Sequence, residues 1–248
     1  HRPVGNNGWH PGKISYATTP TGDANRRISQ PASPRFMMIP HHAERQEVAR
    51  FMRRLYRQHL TTTSGGNISC RTTDGHILLT ASKFDKARLT ATQVGVLALD
   101  GSNLTPDLRP SIEAEMHLTV YRRHPEIQAI VNAHPVTASV FCACERPLNT
   151  RLLGEAYAIV GPPVKAPYAT MGTPELAENV ALAVGQGTCI LLANHGILTV
   201  GSSLLEAFDR LEVTEIAAQT NVLLAGLGGP VEIPAAKLAD LDRLMGRL

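Results

Sequence analysis

The sequence predicts one α/β domain with a mixed sheet, occupying residues 43–248. Three observations carry that prediction. Strand-period and helix-period apolar patterns follow one another through a single stretch. No linker-like composition divides it. The chain has 248 residues, 43% of them hydrophobic, which suffices for one substantial core.

Regular patterning begins near Ala43. Val48, Phe51, Met52, Leu55 and Tyr56 recur at helical spacing with Arg and Glu on the opposite face, so an amphipathic helix is expected. Residues 61–67 read TTTSGGN, a polar loop. Residues 68–71 and 76–80 form two expected strands, joined through Asp74-Gly75, where glycine supplies the positive φ of a tight hairpin turn. A third strand is expected at 94–99, closing on Asp100-Gly101. Ser111 opens a helix that runs through Tyr121, followed by the apolar strand 127–133.

In the second half, Thr173-Pro174-Glu175 is a helix start. The threonine hydroxyl caps free N–H groups, proline fits the first turn, and glutamate opposes the positive dipole end. Residues 189–193 are a buried-type strand, Asn194-His195-Gly196 interrupts it, and 197–200 resumes the extended pattern. A long helix is expected over 204–224, then a Gly-Gly-Pro break and a short tail helix.

Composition removes several classes of function. With 24 basic and 21 acidic side chains the net charge is +3, too small to make nucleic acid the partner. No apolar run approaches the roughly 18–20 residues that span a bilayer, so no membrane partner is expected. Four scattered cysteines fit free thiols in a reducing compartment better than a disulfide framework. Residues 1–42 are rich in Pro, Gly, Asn, Thr and Ser and read as an irregular N-terminal extension. They lack the apolar core of a secretory signal, and a cytoplasmic location is expected. The P-loop, the dinucleotide-binding glycine motif and the G-x-S-x-G elbow are all absent.

What remains is a set of polar residues at element ends, where open α/β sheets place their sites. His134 follows the strand 127–133, and Asn132, two residues earlier, points to the same strand face. His195 sits in the gap between two apolar strands, and neutral imidazole is a common ligand for transition metals. Each histidine alone also fits a loop residue with no metal. Glu113 lies in the first turn of a helix, either as an acid/base or as a solvated residue favoured by the dipole. His117, four residues on, is placed to pair with it. The loop Thr63-Ser64-Gly65-Gly66-Asn67, with Thr80-Ala81-Ser82-Lys83, offers hydroxyls, backbone N–H groups and an ammonium to an anion, or is merely surface.

Five blocks, taken in order, resemble the class II aldolase and adducin family: TSGGNISCR (63–71), LTASKFDKARLT (79–90), RPSIEAEMHLTVYRRHPEIQAIVNAHP (109–135), PVKAPYATMGTPELAENVA (163–181) and ILLANHGILTVG (190–201). The resemblance spans residues 43–224 and implies a three-layer α/β/α domain whose central sheet is mixed and largely antiparallel. It implies a homotetramer with sites at subunit interfaces, and a divalent metal, typically Zn2+. The metal ligands fall on Asn132, His134 and His195, and the acid/base on Glu113, which can also ligate. Phosphate binding falls on Gly66, Asn67, Ser82, Lys83, Ser111 and Ile112.

The implied reaction is reversible cleavage of a C–C bond in a small ketose phosphate, such as L-fuculose 1-phosphate, through a metal-stabilised enediolate. Epimerisation, dehydration, decarboxylation or a non-catalytic adducin-like scaffold are the alternatives. This chain departs from the family pattern in three places. Asn132 replaces a histidine, and an amide oxygen is a harder ligand, so Mn2+ or Mg2+ stand beside Zn2+. Lys83 stands at a glycine position and Ile112 at a serine position. No tyrosine follows Tyr168 to match the aldolases' C-terminal tyrosine, and the second family tyrosine, just before the APYA segment, has no clear match, although Tyr157 lies nearby.

Overall fold

Val48, Ala49, Phe51, Met52 and Leu55 line the buried side of α1 (His42–Arg57), the helix their spacing predicts. The structure is a computed structural model that describes residues 40–247. The expected extension, residues 1–42, lies outside the described residues except for Pro40, His41 and His42.

Seven strands form one sheet: β1 (Asn67–Arg71), β2 (Ile77–Thr80), β3 (Val94–Leu97), β4 (Ala129–Ala133), β5 (Val164–Ala166), β6 (Cys189–Leu192) and β7 (Gly196–Gly201). Their order is β3-β2-β1-β4-β7-β6-β5. Only β5 and β6 run parallel, so the sheet is mixed and largely antiparallel, as expected. The other helices are α2 (Ala114–Arg123), α3 (Val136–Cys142), α4 (Gly154–Val160), α5 (Pro174–Val184), α6 (Leu204–Leu224) and α7 (Ala235–Leu244).

Strand alternation divides the core between the two sheet faces. Ile68 and Cys70 of β1, with Ala129, Val131 and Ala133 of β4, pack under α1, α3, α4 and α6. Ile130 and the apolar residues of β2, β6 and β7 on the other face pack against α2 and α5. This is the three-layer α/β/α arrangement. The same alternation sends Asn67, Ser69 and Asn132 to the α2 face, where they meet polar partners instead of apolar ones.

Three elements were not read from the sequence, and several strand and helix ends shift by one to three residues. β5 is three residues long between prolines, and α3 and α4 have seven residues each, too short for periodicity to register. β3 stops at Leu97 because Ala98 N–H donates to the Ser102 carbonyl and starts a turn. α2 starts at Ala114, which makes Glu113 its N-cap residue and not a first-turn one. The helix start at Thr173 forms as expected, its hydroxyl accepting from Leu176 N–H at 3.3 Å.

Candidate active site

The β1–β4 ladder pairs Asn67 with Asn132, so two amides stand side by side at one end of the sheet. Both Nδ2 groups donate to the same oxygen of Glu113, Oε2, each at 2.7 Å. The carboxylate is therefore buried, only 4% exposed, and is not the solvated helix-start residue that one sequence reading allowed. Burial pushes its pKa up, but the His195 imidazole and the Asn67 donor outweigh that and hold it below the usual carboxylate value. Ser111 Oγ accepts from Asn67 Nδ2 and from the Glu113 backbone N–H, both at 3.3 Å.

Behind this pair lies a buried polar chain that sequence reasoning missed. His117 Nε2 lies 2.5 Å from Asn67 Oδ1, and its Nδ1 lies 2.6 Å from Ser69 Oγ. Ser69 Oγ in turn meets Tyr121 Oη at 2.9 Å. Asn67 spends its N–H groups on Glu113 and Ser111, so its oxygen must accept, and His117 carries its proton on Nε2. Burial lowers the His117 pKa to about 4, which keeps the ring neutral in that tautomer. The expected direct His117–Glu113 pair is thus replaced by a link through Asn67. The available signal was the run of polar residues on one face of β1, Asn67 and Ser69, matched by His117 and Tyr121 at i, i+4 spacing on α2.

His195 arrives from the β6–β7 turn. Leu192 pairs with Gly196, and Asn194 takes φ 53° to close the three-residue connection. His195 Nε2 then stands 3.0 Å from Glu113 Oε1. That contact is not aligned as a hydrogen bond, and both atoms are left without a partner, as are His195 Nδ1 and Asn132 Oδ1. The His134 ring lies beside that of His195, centroids 5.4 Å apart. Its position is set by two glycines. A Cβ on Gly65 would lie 2.8 Å from His134 Nδ1, and one on Gly196 would lie 2.5 Å from His134 Cδ2. Burial, then His195, lowers the His134 pKa and favours the neutral, metal-ligating form.

Four buried donor or acceptor atoms without partners, two on the His195 imidazole and one each on the Glu113 carboxylate and the Asn132 amide, suit a divalent cation. The geometry joins Asn67, Ser111, Glu113, Asn132 and His195 by direct contact and sets His134 next to His195. Asn132 presents its N–H to Glu113, and only its free oxygen is placed to ligate.

The phosphate-loop candidates are arranged less uniformly. Gly66 takes φ 68°, and a Cβ there would lie 2.8 Å from the Asn132 carbonyl. Ser82 Oγ donates to the Pro110 carbonyl at 2.9 Å, which ties its loop to Ser111. Lys83 is exposed at φ 66°, the left-handed region that explains why glycine suits this position. Ile112 is 68% exposed and packs over Gly172. Tyr157 donates to Asp242 Oδ2 at 3.0 Å, so its hydroxyl is already engaged by α7.

Residues 46–222 match the family model described as the class II aldolase and adducin N-terminal domain. The chain is 32% identical over 188 residues to 3-oxo-tetronate 4-phosphate decarboxylase of Haemophilus influenzae, covering 74% of this chain and 89% of the relative. It is 30% identical over 204 residues to 5-deoxy-D-ribulose 1-phosphate aldolase of Bacillus thuringiensis, covering 81% and 94%. Among solved structures, an L-fuculose 1-phosphate aldolase superposes with a TM-score of 0.75 at 31% identity, covering 82% of this chain and 95% of that one. A match over most of the chain, with two such relatives at 30% or more, makes this protein a member of the class II aldolase and adducin N-terminal domain family and a lyase-type enzyme within it.

Proposed function

We propose that the protein is a metal-dependent aldolase that reversibly cleaves a carbon–carbon bond of a small ketose phosphate such as L-fuculose 1-phosphate. Class II aldolases are metal-dependent. The observation that carries the reading is the divided use of Glu113, one oxygen held by two amides and the other free toward His195. A carboxylate so held is aimed, and its free oxygen is positioned to take or return a proton.

His134 and His195, with the Asn132 oxygen, would hold the cation, Zn2+ by donor chemistry, with Mn2+ or Mg2+ admitted by the amide, and Glu113 Oε1 would add a ligand only while substrate is absent. When bound, a divalent cation supplies Lewis-acid stabilisation of enediolate charge. Glu113 moves the proton at the substrate carbon. Asn67 and Asn132 keep Oε2 occupied, so transfer is confined to Oε1. His117 keeps Asn67 turned with its N–H toward the carboxylate. Gly66, Asn67, Ser82, Lys83 and Ser111 would face the substrate phosphate, with Lys83 as a point charge. We place the enzyme in the cytoplasm as a homotetramer. Among the described residues no helix is long and apolar enough to cross a membrane.

A specific observation favours a second reading, decarboxylation of a 3-oxo sugar-acid phosphate. Loss of CO2 leaves the same kind of enediolate but needs no group to exchange a proton with the oxygen that becomes the aldehyde. The sequence matches no family tyrosine to that task, and the nearby Tyr157 has its hydroxyl bound to Asp242. The test is a pair of assays on purified full chain with its metal content measured. Release of dihydroxyacetone phosphate from L-fuculose 1-phosphate or a related ketose phosphate supports the aldolase. Release of CO2 from 3-oxo-tetronate 4-phosphate, with no ketose phosphate cleaved, replaces it with the decarboxylase. Neither release overturns both.

A further inference from the structure

The β1–β2 turn lies at the opposite end of β1 from Asn67, a five-residue strand away, roughly 16 Å. There Thr72 N–H donates to the His76 carbonyl at 2.9 Å, Gly75 N–H to the Thr72 carbonyl at 3.0 Å, and Gly75 takes φ 88°. This tight turn fixes Asp74 and His76 relative to each other. The Thr72 hydroxyl donates to Asp74 Oδ1 and orients the carboxylate. The other oxygen, Oδ2, then faces two imidazoles, His76 Nδ1 at 3.1 Å and His41 Nε2 at 3.4 Å. His41 comes from another element, the residue that caps α1, 33 residues earlier in the chain.

The three ligand atoms lie within 4.8 Å of one another. Around a tetrahedral ion with bonds of about 2.0–2.1 Å, neighbouring ligand atoms stand about 3.3–3.4 Å apart. Both carboxylate–imidazole distances fall within a few tenths of an ångström of that edge. The two rings meet edge-on at 71°, centroids 5.8 Å apart, so they do not stack face to face. All three side chains are partly open to solvent, at 18%, 50% and 35% for His41, Asp74 and His76, so an ion can enter and keep water at its remaining position. Two nitrogens and one carboxylate oxygen select zinc-class ions, whereas magnesium and calcium want an all-oxygen set.

We propose that His41, Asp74 and His76 form a second divalent-metal site, for zinc or a similar transition ion, which clips the start of α1 to the β1–β2 hairpin. The site shares no residue with the Glu113 cluster, and it stands whether or not that cluster binds metal. Its ion would bridge the start of α1 and the β1–β2 hairpin, so it acts as a structural clip and not in the chemistry.

The test is a zinc titration of full-length protein against a chromophoric chelator at neutral pH, repeated with Co2+ for its tetrahedral absorption bands. His76→Gln, Asp74→Asn and His41→Gln should each bind one equivalent fewer than wild type and lose the matching part of the Co2+ spectrum. Their melting temperatures in chelator should match wild type, which checks the fold. Thr72→Val should keep the stoichiometry and weaken this site about 10- to 100-fold, because only the group orienting a ligand is lost. His195→Ala should leave this equivalent in place, which separates the site from the Glu113 cluster. Equal stoichiometry and spectra in wild type, His76→Gln and Asp74→Asn would overturn the proposal.

Discussion

Asn67 and Asn132 face each other across the β1–β4 ladder and donate to one oxygen of Glu113, each at 2.7 Å. The pairing leaves the second carboxylate oxygen without a hydrogen-bond partner, and the proposed proton transfer would use it. It also means that Asn132, at a position where the resemblance implies a ligating histidine, acts here first as a donor to the carboxylate. Asn132→His should therefore tighten zinc binding, since it restores an imidazole beside His134 and His195. Chelator competition on the full chain measures this, and an unchanged affinity would show that position 132 does not face the ion.

Glu113→Gln is close to isosteric, and its amide oxygen can still accept from Asn67 and Asn132. The fold should hold while the proton-transferring oxygen is lost. A fall in kcat of about 10²- to 10⁴-fold is expected, the usual contribution of a positioned acid/base. The checks are steady-state rates on the substrate that the wild type turns over, together with hydrogen exchange at the substrate carbon. Wild-type exchange in this variant would remove Glu113 from its assigned task.

How far the sequence foretold this site depends on what each residue displays locally. The long helix α6 was legible residue for residue, over 204–224, because 21 residues give periodicity room to register. His134, His195 and Glu113 were legible as a group because their motifs appear in family order, and not because spacing alone could bring them together. The contacts that organise them were hidden. His117 looks like a surface partner for Glu113 at i, i+4, yet it is fully buried and bonded to Asn67 and Ser69. Only the three-dimensional pairing of β1 with α2 distinguishes these cases. Likewise Glu215 reads as one more acid on a helix, whereas it accepts from Thr137 and Ala138 N–H and caps α3, directly after His134-Pro135.

His117 makes stability depend on pH. Its folded pKa is about 4, below the ordinary value of 6.5, because burial disfavours the charged ring. The unfolded chain therefore takes up a proton between pH 6.5 and 4 that the folded chain refuses. The stabilisation is complete above pH 6.5 and is lost as pH falls toward 4, by roughly 2 kcal/mol at pH 5 relative to pH 7. Urea denaturation at both pH values should show this loss, and His117→Gln should remove most of it while lowering stability at pH 7. A pH dependence identical in the variant would assign the loss to other groups.

Glu215→Ala should cost about 1–2 kcal/mol, since two backbone N–H groups at the start of α3, one half-buried and one buried, lose their acceptor. Thermal denaturation reads that cost directly. The chain enters α3 through Pro135, so the loss should also loosen His134. Metal affinity should then fall in Glu215→Ala and recover partly in Glu215→Gln, whose amide oxygen can accept one of the two bonds.

Gly196 sets the sharpest steric demand at the site. A Cβ there would stand 2.5 Å from His134 Cδ2 and 2.6 Å from the Ala133 carbonyl. The carbonyl cannot yield, because Ala133 is held in the β4–β7 ladder opposite Ile197. The imidazole must move instead, away from His195. Gly196→Ala should therefore lower stability by about 1–3 kcal/mol, the usual cost of overpacking, and weaken metal binding as well. Gly154→Ala is the matched control. Nothing lies within 4 Å of its added Cβ, at the first residue of α4, so it should leave both stability and metal affinity intact or raise stability slightly. Melting curves and chelator competition on the two variants separate a local clash with His134 from a general intolerance of alanine for glycine. If Gly196→Ala melts lower but binds metal as wild type does, the His134 ring is not where the ion is held.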